Sequence, residues 1–164
     1  MIQCKQLPLP LLETSAEKID FIYNNAEKFF VTRYELSPRW KSFDIVTNGK
    51  HCSMLKQFPE IKEWFDTLEN FTGIKNIKDC YVSILEAKCS IPWHVDDNHD
   101  ILTKSFITAI RTQSSFIEFK DRCKYTYKTG YSYALNTSQQ HRVLNLSNLH
   151  RITLCVTPEE NKYV

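Results

Sequence analysis

From Cys80 to Val156 the chain breaks into short runs dense in β-branched and aromatic residues, and this constrains its fold more than any other feature. Cys80–Leu85, Lys104–Ile110, Ser115–Phe119, Tyr131–Leu135 and Arg151–Val156 are such runs. Segments of this composition, separated by turn formers, read as strands. Lys128-Thr129-Gly130, following Tyr125-Thr126-Tyr127, reads as a hairpin turn. Ahead of Lys78 the period is different. Ile19, Ile22, Tyr23, Ala26, Phe29 and Phe30 recur at helical spacing, which predicts an amphipathic helix over 15–30 with Thr14 or Ser15 as its cap. A second helix is expected from Pro59, with Ile61, Trp64, Phe65 and Leu68 on its buried side and Gly73 where it stops. Between the two, Pro38–Val46 alternates as a strand and runs into Asn48-Gly49, a strong turn signal.

Short strands preceded by helices predict a mostly β, α+β domain: a double-stranded β-helix (jelly roll, cupin-like) with helices packed on one face. No linker, repeat or low-complexity tract interrupts the chain. Residues 1–164 therefore read as one domain, with a helical part over about 1–75 and a jelly-roll core over about 76–158.

Composition removes several function classes. The formal net charge is only +2, and no stripe of Lys and Arg with interleaved aromatics stands out, so nothing argues for nucleic acid. No apolar run approaches the roughly 18 residues of a membrane span. The N-terminus lacks a charged segment leading into an apolar one, so no signal peptide is expected. Six cysteines without a Cys-x-x-Cys pair read as reduced thiols of a cytoplasmic protein. Three glycines are too few and too scattered for a phosphate-cradling loop.

One constellation carries chemistry. His94 and Asp96, at i and i+2 on a strand or strand end, point to the same side while Val95 faces away. With a distant imidazole, His141, they form a 2-His-1-carboxylate set. Such a set occupies one face of an octahedral ion and leaves the opposite face open for substrate and oxygen on ferrous iron. Ligand type alone also admits Mn(II) or Zn(II). Asn145 and Ser147 read as turn formers. Trp40 and Trp64 read as core residues rather than ligand platforms. Asn136-Thr137-Ser138 is expected to shape the approach of His141.

The residues around these ligands add a resemblance. Ser83, Leu85, Ile91, Pro92 and His94 form one block. Gly130, Tyr133, Leu135, Asn136, Thr137, Ser138, His141, Val143, Asn145, Ser147 and Arg151 form a second, more specific one. Over about residues 80–157, with Trp40-Lys-Ser-Phe as a fainter echo, the chain resembles the aspartyl/asparaginyl β-hydroxylase-like branch of the 2-oxoglutarate/Fe(II) oxygenases, which includes free-proline hydroxylases. The resemblance implies His94, Asp96 and His141 as iron ligands and Arg151 as the grip on the distal carboxylate of 2-oxoglutarate. It also implies Ser83 as an added donor there. A guanidinium fork suits that role, since it can hold a carboxylate with two charge-assisted hydrogen bonds. The activity implied is hydroxylation of an amino acid or amino-acyl side chain, with O2 consumed and succinate and CO2 released.

The chain also departs from the family pattern. Ala87-Lys88 stands where the family has Pro-Gly, and Pro92-Trp93-His94 replaces Trp-Pro-His. The family's Arg-x-His-x-Pro strand reads Ser105-Phe106-Ile107-Thr108-Ala109, which leaves Arg111 or Lys104 as candidate substitutes for its Arg and His. His99, in the polar loop 97–100, is a candidate substrate contact. Loops near 97–103 and 120–129 are the expected substrate walls, where Lys120, Arg122 and Lys124 can meet a carboxylate. Two rival readings are a non-catalytic jelly-roll module that binds metal or 2-oxoglutarate, and a Zn hydrolase or isomerase using the same triad.

Overall fold

The computed structural model describes residues 4–8, 24, 31–32, 37–57, 59–72, 76–96 and 104–158. Apart from Asn24, which is helical, the helix expected over 15–30 lies outside these residues, as does the loop 97–103.

Two antiparallel sheets face one another. The larger contains β1 (Cys4–Leu7), β2 (Val31–Thr32), β3 (Trp40–Thr47), β4 (Lys50–His51), β5 (Ile77–Leu85), β7 (Lys104–Arg111), β10 (Ser132–Asn136) and β12 (Arg151–Pro158). Their order is β1-β10-β7-β12-β5-β3-β2, with β4 paired to β3. The smaller sheet has the order β6-β11-β8-β9, formed by β6 (Ser90–His94), β8 (Ser115–Phe119), β9 (Lys124–Thr126) and β11 (His141–Asn145). A helix, α1 (Pro59–Thr72), follows a short 3-10 segment, Ser53–Gln57. This is the jelly-roll arrangement expected from the sequence, mostly antiparallel β. Among the described residues no helix is long and apolar enough to cross a membrane.

The larger sheet is buried on both faces, so its central strands show little alternation of burial: β12 is buried at seven of its eight positions. Alternation persists in chemistry. Cys80, Val82 and Ile84 of β5, Ile152, Leu154 and Val156 of β12, and Phe106 of β7 face outward. They pack under α1, which presents Ile61, Trp64, Phe65 and Leu68 at i, i+3, i+4 and i+7. Each such side chain contributes on the order of 1.5–3 kcal/mol when fully buried. The intervening residues, Tyr81, Ser83, Arg151, Thr153, Ser105 and Ile107, face the other way and line a cavity between the sheets. The core of the helix face is greasy; the face that meets the second sheet is polar where the cavity lies.

Turn chemistry follows the sequence in one place and departs from it in another. Asn48 and Gly49 have φ of 49° and 73°, and Thr47 pairs with Lys50, so β3 and β4 form the expected two-residue hairpin. Lys128-Thr129-Gly130, expected to close a hairpin, instead carries the chain from β9 in the smaller sheet to β10 in the larger. Gly130, at φ 84°, donates to the Ala109 carbonyl at 2.6 Å, and that contact ties the crossing to β7. Local sequence marks a reversal but cannot say which sheet accepts the next strand. Lys88 has φ of 57° at the position where the related pattern has glycine, so the turn keeps its left-handed backbone with a side chain present.

Candidate metal centre and carboxylate pocket

Strand register assembles the triad. His141, the first residue of β11, lies directly opposite His94, the last of β6. The pairing then skips one residue of β6, because Val143 sits opposite Ile91. That bulge lets Ile91 and His94, three apart in sequence, both face the interior. The imidazole centroids are 4.3 Å apart. Asp96 follows the strand end, and its amide donates to the Thr137 carbonyl at 3.2 Å. One ligand-type atom from each of His94, Asp96 and His141 lies within 4.8 Å of the others. The His94 and His141 Nε2 atoms are 3.4 and 3.9 Å from Asp96 Oδ1.

Each imidazole is oriented from behind. His94 Nδ1 is 2.8 Å from the Pro92 carbonyl and His141 Nδ1 is 2.8 Å from the Gln139 carbonyl. A carbonyl can only accept, so Nδ1 carries the proton in both rings, and in the neutral rings the Nε2 lone pair faces Asp96. Charge is uneven across the cluster. Burial works against the imidazolium of His94, but the Asp96 hydrogen bond and the Pro92 carbonyl outweigh it and raise its pKa. Burial and the neighbouring His94 charge hold His141 below its ordinary value. For Asp96, burial favours the neutral acid, yet the His94 hydrogen bond and the His141 charge keep its pKa low.

The triad opens on a cavity of about 490 Å³ that continues along the inner face of the larger sheet. Ile91, Ile117 and Val143 of the smaller sheet form one apolar wall. Trp40, expected in the core, lines this cavity instead, with its ring 5.8 Å from His94 and its Nε1 donating to Ser83 Oγ at 2.9 Å. Trp64 is buried under α1 as expected.

Arg151 is 3% exposed, and its guanidinium has unmet hydrogen-bonding capacity. Nη1 reaches Thr153 Oγ1 at 3.5 Å, while Nε and Nη2 have no partner. Burial pushes its pKa below the ordinary arginine value, and the Tyr127 phenol beside it works in the opposite sense. A guanidinium stays charged even so. Buried cationic N–H groups left unpaired are costly, and an entering carboxylate would satisfy them. Ser83 sits across the strand pair from Thr153, on the same face as Arg151.

The other sequence candidates fall out as follows. Ser105 and Ile107 face the cavity where the related pattern has Arg and His. Arg111 is carried away from it, because a bulge in the pairing with β12 sets Arg111 opposite Ile152, on the helix-facing side. The Lys104 side chain and His99 lie outside the described residues. Lys124 is engaged with Glu118 at 3.6 Å. Lys120 and Arg122 are exposed in the β8–β9 turn. Asn145 does form the turn expected of it: buried, it donates to the carbonyls of Leu85, Glu86 and Leu149 and accepts from Ser147. Thr137 goes beyond shaping the approach of His141, since it also holds Asp96. Trp40 and Tyr127 come from the fainter Trp40-Lys-Ser-Phe echo and from the 120–129 loop, and neither local pattern says which side chain turns towards the site.

Two imidazoles and a carboxylate converging between the sheets of a jelly roll define a candidate mononuclear centre of the facial-triad type. A family model described as aspartyl/asparaginyl beta-hydroxylase matches residues 12–160. The chain belongs to that family, and with it to the 2-oxoglutarate/Fe(II)-dependent oxygenases, a class of hydroxylating enzymes. No curated protein matches the chain. Solved structures are similar in fold at low identity. A 2OG-Fe(II) oxygenase family oxidoreductase from Burkholderia pseudomallei is 13% identical, with 97% of this chain and 85% of that one covered and a TM-score of 0.61. A Pseudomonas putida prolyl-4-hydroxylase is 11% identical over 95% and 91% of the two chains, with a TM-score of 0.61. A viral collagen prolyl hydroxylase from Paramecium Bursaria Chlorella virus-1 is 12% identical over 95% and 94%, with a TM-score of 0.59.

Proposed function

We propose that the protein is a 2-oxoglutarate- and Fe(II)-dependent dioxygenase that hydroxylates an amino acid or an amino-acyl side chain, with release of succinate and CO2. The observation that carries this reading is a shared cavity: the three metal-type donors line the same space as a buried arginine with two unpaired N–H groups. The donor set fits iron, with nitrogen and oxygen ligands on one side only. His94 and His141 would bind through Nε2 and Asp96 through a carboxylate oxygen. Bound there, the metal and its cosubstrate supply the oxidising power that puts one atom of O2 into an unactivated C–H bond.

The protein's own share is orientation and shielding. The Pro92 and Gln139 carbonyls keep the Nε2 atoms facing the centre, and the Thr137 carbonyl anchors Asp96. Arg151 would hold the distal carboxylate of 2-oxoglutarate, with Ser83 as an added donor. Ile91, Ile117 and Val143 would give the space between an apolar wall. Six cysteines present as thiols rather than disulfides support a reducing, cytoplasmic setting.

The test is anaerobic titration with Fe(II) and 2-oxoglutarate, then succinate release on admitting O2, with and without candidate amino acids and peptides. Turnover restored by Fe(II) but not Zn(II) supports the proposal. A second reading, a module that binds without turning over, is favoured by Ser105 and Ile107 standing where the related pattern has Arg and His. Tight binding with no succinate under any condition would establish it.

A further inference from the structure

Of the three metal-type donors, Asp96 is the one that strand pairing does not seat. β6 ends at His94, and the register of the smaller sheet stops at the His94–His141 pair. A carboxylate past a strand end has side-chain freedom to lose, so another contact must fix it for metal binding. Thr137 does so through both backbone and side chain. Its carbonyl accepts from the Asp96 amide at 3.2 Å, and its hydroxyl hydrogen-bonds the Asp96 carboxylate. Thr137 is itself buried, at 3% exposure, in the segment between β10 and β11 that leads to His141.

Ser105 stands behind Thr137, with its Oγ 3.2 Å from Thr137 Oγ1, and it too is buried. Distance alone leaves open which hydroxyl donates, but proton counting closes the question. Thr137 has one hydroxyl proton, and a carboxylate is the stronger acceptor because the bond to it is charge-assisted. Thr137 therefore donates to Asp96 and offers a lone pair to Ser105, whose proton points the same way along the series. Bonds arranged in series polarise one another, so Ser105 strengthens the bond that Thr137 makes. Register explains why the two meet. Ser105 of β7 lies opposite Leu135 of β10, and Ser105, Leu135 and Thr137 all line the cavity with Asp96. The series thus runs from the larger sheet to the carboxylate at the end of β6, in the smaller one.

We infer that Ser105 and Thr137 are positioning residues for the metal centre: a hydroxyl relay, Ser105 to Thr137 to Asp96, that holds the carboxylate turned toward the two imidazoles. This rests on the reading of His94, Asp96 and His141 as metal ligands and adds to it two residues that touch no ion. Groups bonded behind a ligand fix its direction and carry a large share of metal affinity. The relay also gives a task to a departure from the related pattern. Ser105 occupies the place of that pattern's arginine, and a short hydroxyl there meets Thr137 directly.

The test reads the affinity of the protein for Mn(II) and the electron paramagnetic resonance spectrum of the bound ion, neither of which needs turnover. Thr137→Val keeps the shape and the backbone carbonyl and removes the hydroxyl. It should weaken Mn(II) about tenfold to a hundredfold, the usual effect of losing a group behind a ligand, and change the spectrum of the saturated protein. Thr137→Ser returns the hydroxyl and should restore both readouts. Ser105→Ala should weaken Mn(II) by a smaller factor. Combined with Thr137→Val it should cost nothing further, because Ser105 acts only through Thr137. Parental affinity in Thr137→Val overturns the inference. So does a Thr137→Ser variant as weak as the valine one, which would mark packing rather than hydrogen bonding. Additive losses from the two positions overturn the relay. If Thr137→Val does not fold, Ser105→Ala decides alone, and parental Mn(II) affinity in it overturns the relay as well. An unmodified protein that binds no divalent ion sinks the metal-centre reading itself, and that failure is distinct from the others.

Discussion

The indole of Trp40 donates its Nε1 proton to the hydroxyl of Ser83 at 2.9 Å, joining β3 to β5 beside His94. Ser83 is thereby oriented, with its own proton left to donate into the cavity. Ser83→Ala should remove an acceptor from a half-buried indole and cost about 1–3 kcal/mol of stability. It should also weaken 2-oxoglutarate. Denaturant melts of the metal-free variant, read beside ligand titration, separate the two effects. An unchanged melt would mean that the indole finds water instead.

A divalent ion should stabilise the protein strongly. At a hundredfold excess over its dissociation constant, a ligand that binds only the folded state adds about 2.7 kcal/mol. Thermal melts with Mn(II), a redox-silent stand-in for iron, should show this shift, and a chelator should reverse it. His94→Ala or His141→Ala should abolish it while leaving the ligand-free melt within a few degrees.

Replacing Arg151 by methionine should separate stability from binding. The stem's packing is retained and two unpaired buried N–H groups disappear, so the ligand-free protein should melt no lower than the parent. Affinity for 2-oxoglutarate should fall by about 2–5 kcal/mol, the usual loss when a buried charge pair is broken. Calorimetric titration checks the second figure.

Asn145 is 1% exposed, and its side chain bonds three carbonyls and the Ser147 amide. It ties the turn before β12 to the end of β5, and so sets where Arg151 begins. Asn145→Ala takes this partner from the Leu85 and Glu86 carbonyls and the Ser147 amide. A loss of about 2–4 kcal/mol is expected in urea melts.

Glu118 gives the stability profile an acid limb. The Arg142 guanidinium, with Nε 2.6 Å from Oε2, holds its carboxyl below the usual glutamate range. A folded-state pKa lower than the unfolded one contributes stability above the unfolded value, which is lost as pH falls through the folded value. Glu118→Gln should therefore flatten stability against pH below about 4.5 and change the dependence little above neutrality. Melts from pH 3 to 7 would show it.

How much of this was legible in the sequence depends on what sets each feature. The strands from Ser115 to Phe119 and near Cys80 and Arg151 could be read because composition and turn formers act locally. His94 and Asp96 could be placed on one side from strand geometry alone. Their union with His141 rested on resemblance, because strand register across the smaller sheet is not encoded in any one segment. The β9–β10 crossing was misread as a hairpin for that reason: the residues of the turn are the same whichever sheet comes next. The diversion of Arg111 depends on a single bulge against β12, which no periodicity announces. Tyr127 and Trp40 owe their places to tertiary packing, and an aromatic near a turn looks the same whichever way its ring comes to face.

The cross-strand seat of His94 and His141 has a consequence for how an ion would arrive. Both rings are oriented by backbone carbonyls and seated opposite one another on paired strands, so the entropy of gathering two of the three ligands is spent during folding rather than at capture. Only Asp96 stands beyond its strand. An arriving ion would thus be offered two imidazoles already in place, with the Asp96 carboxylate as the third donor.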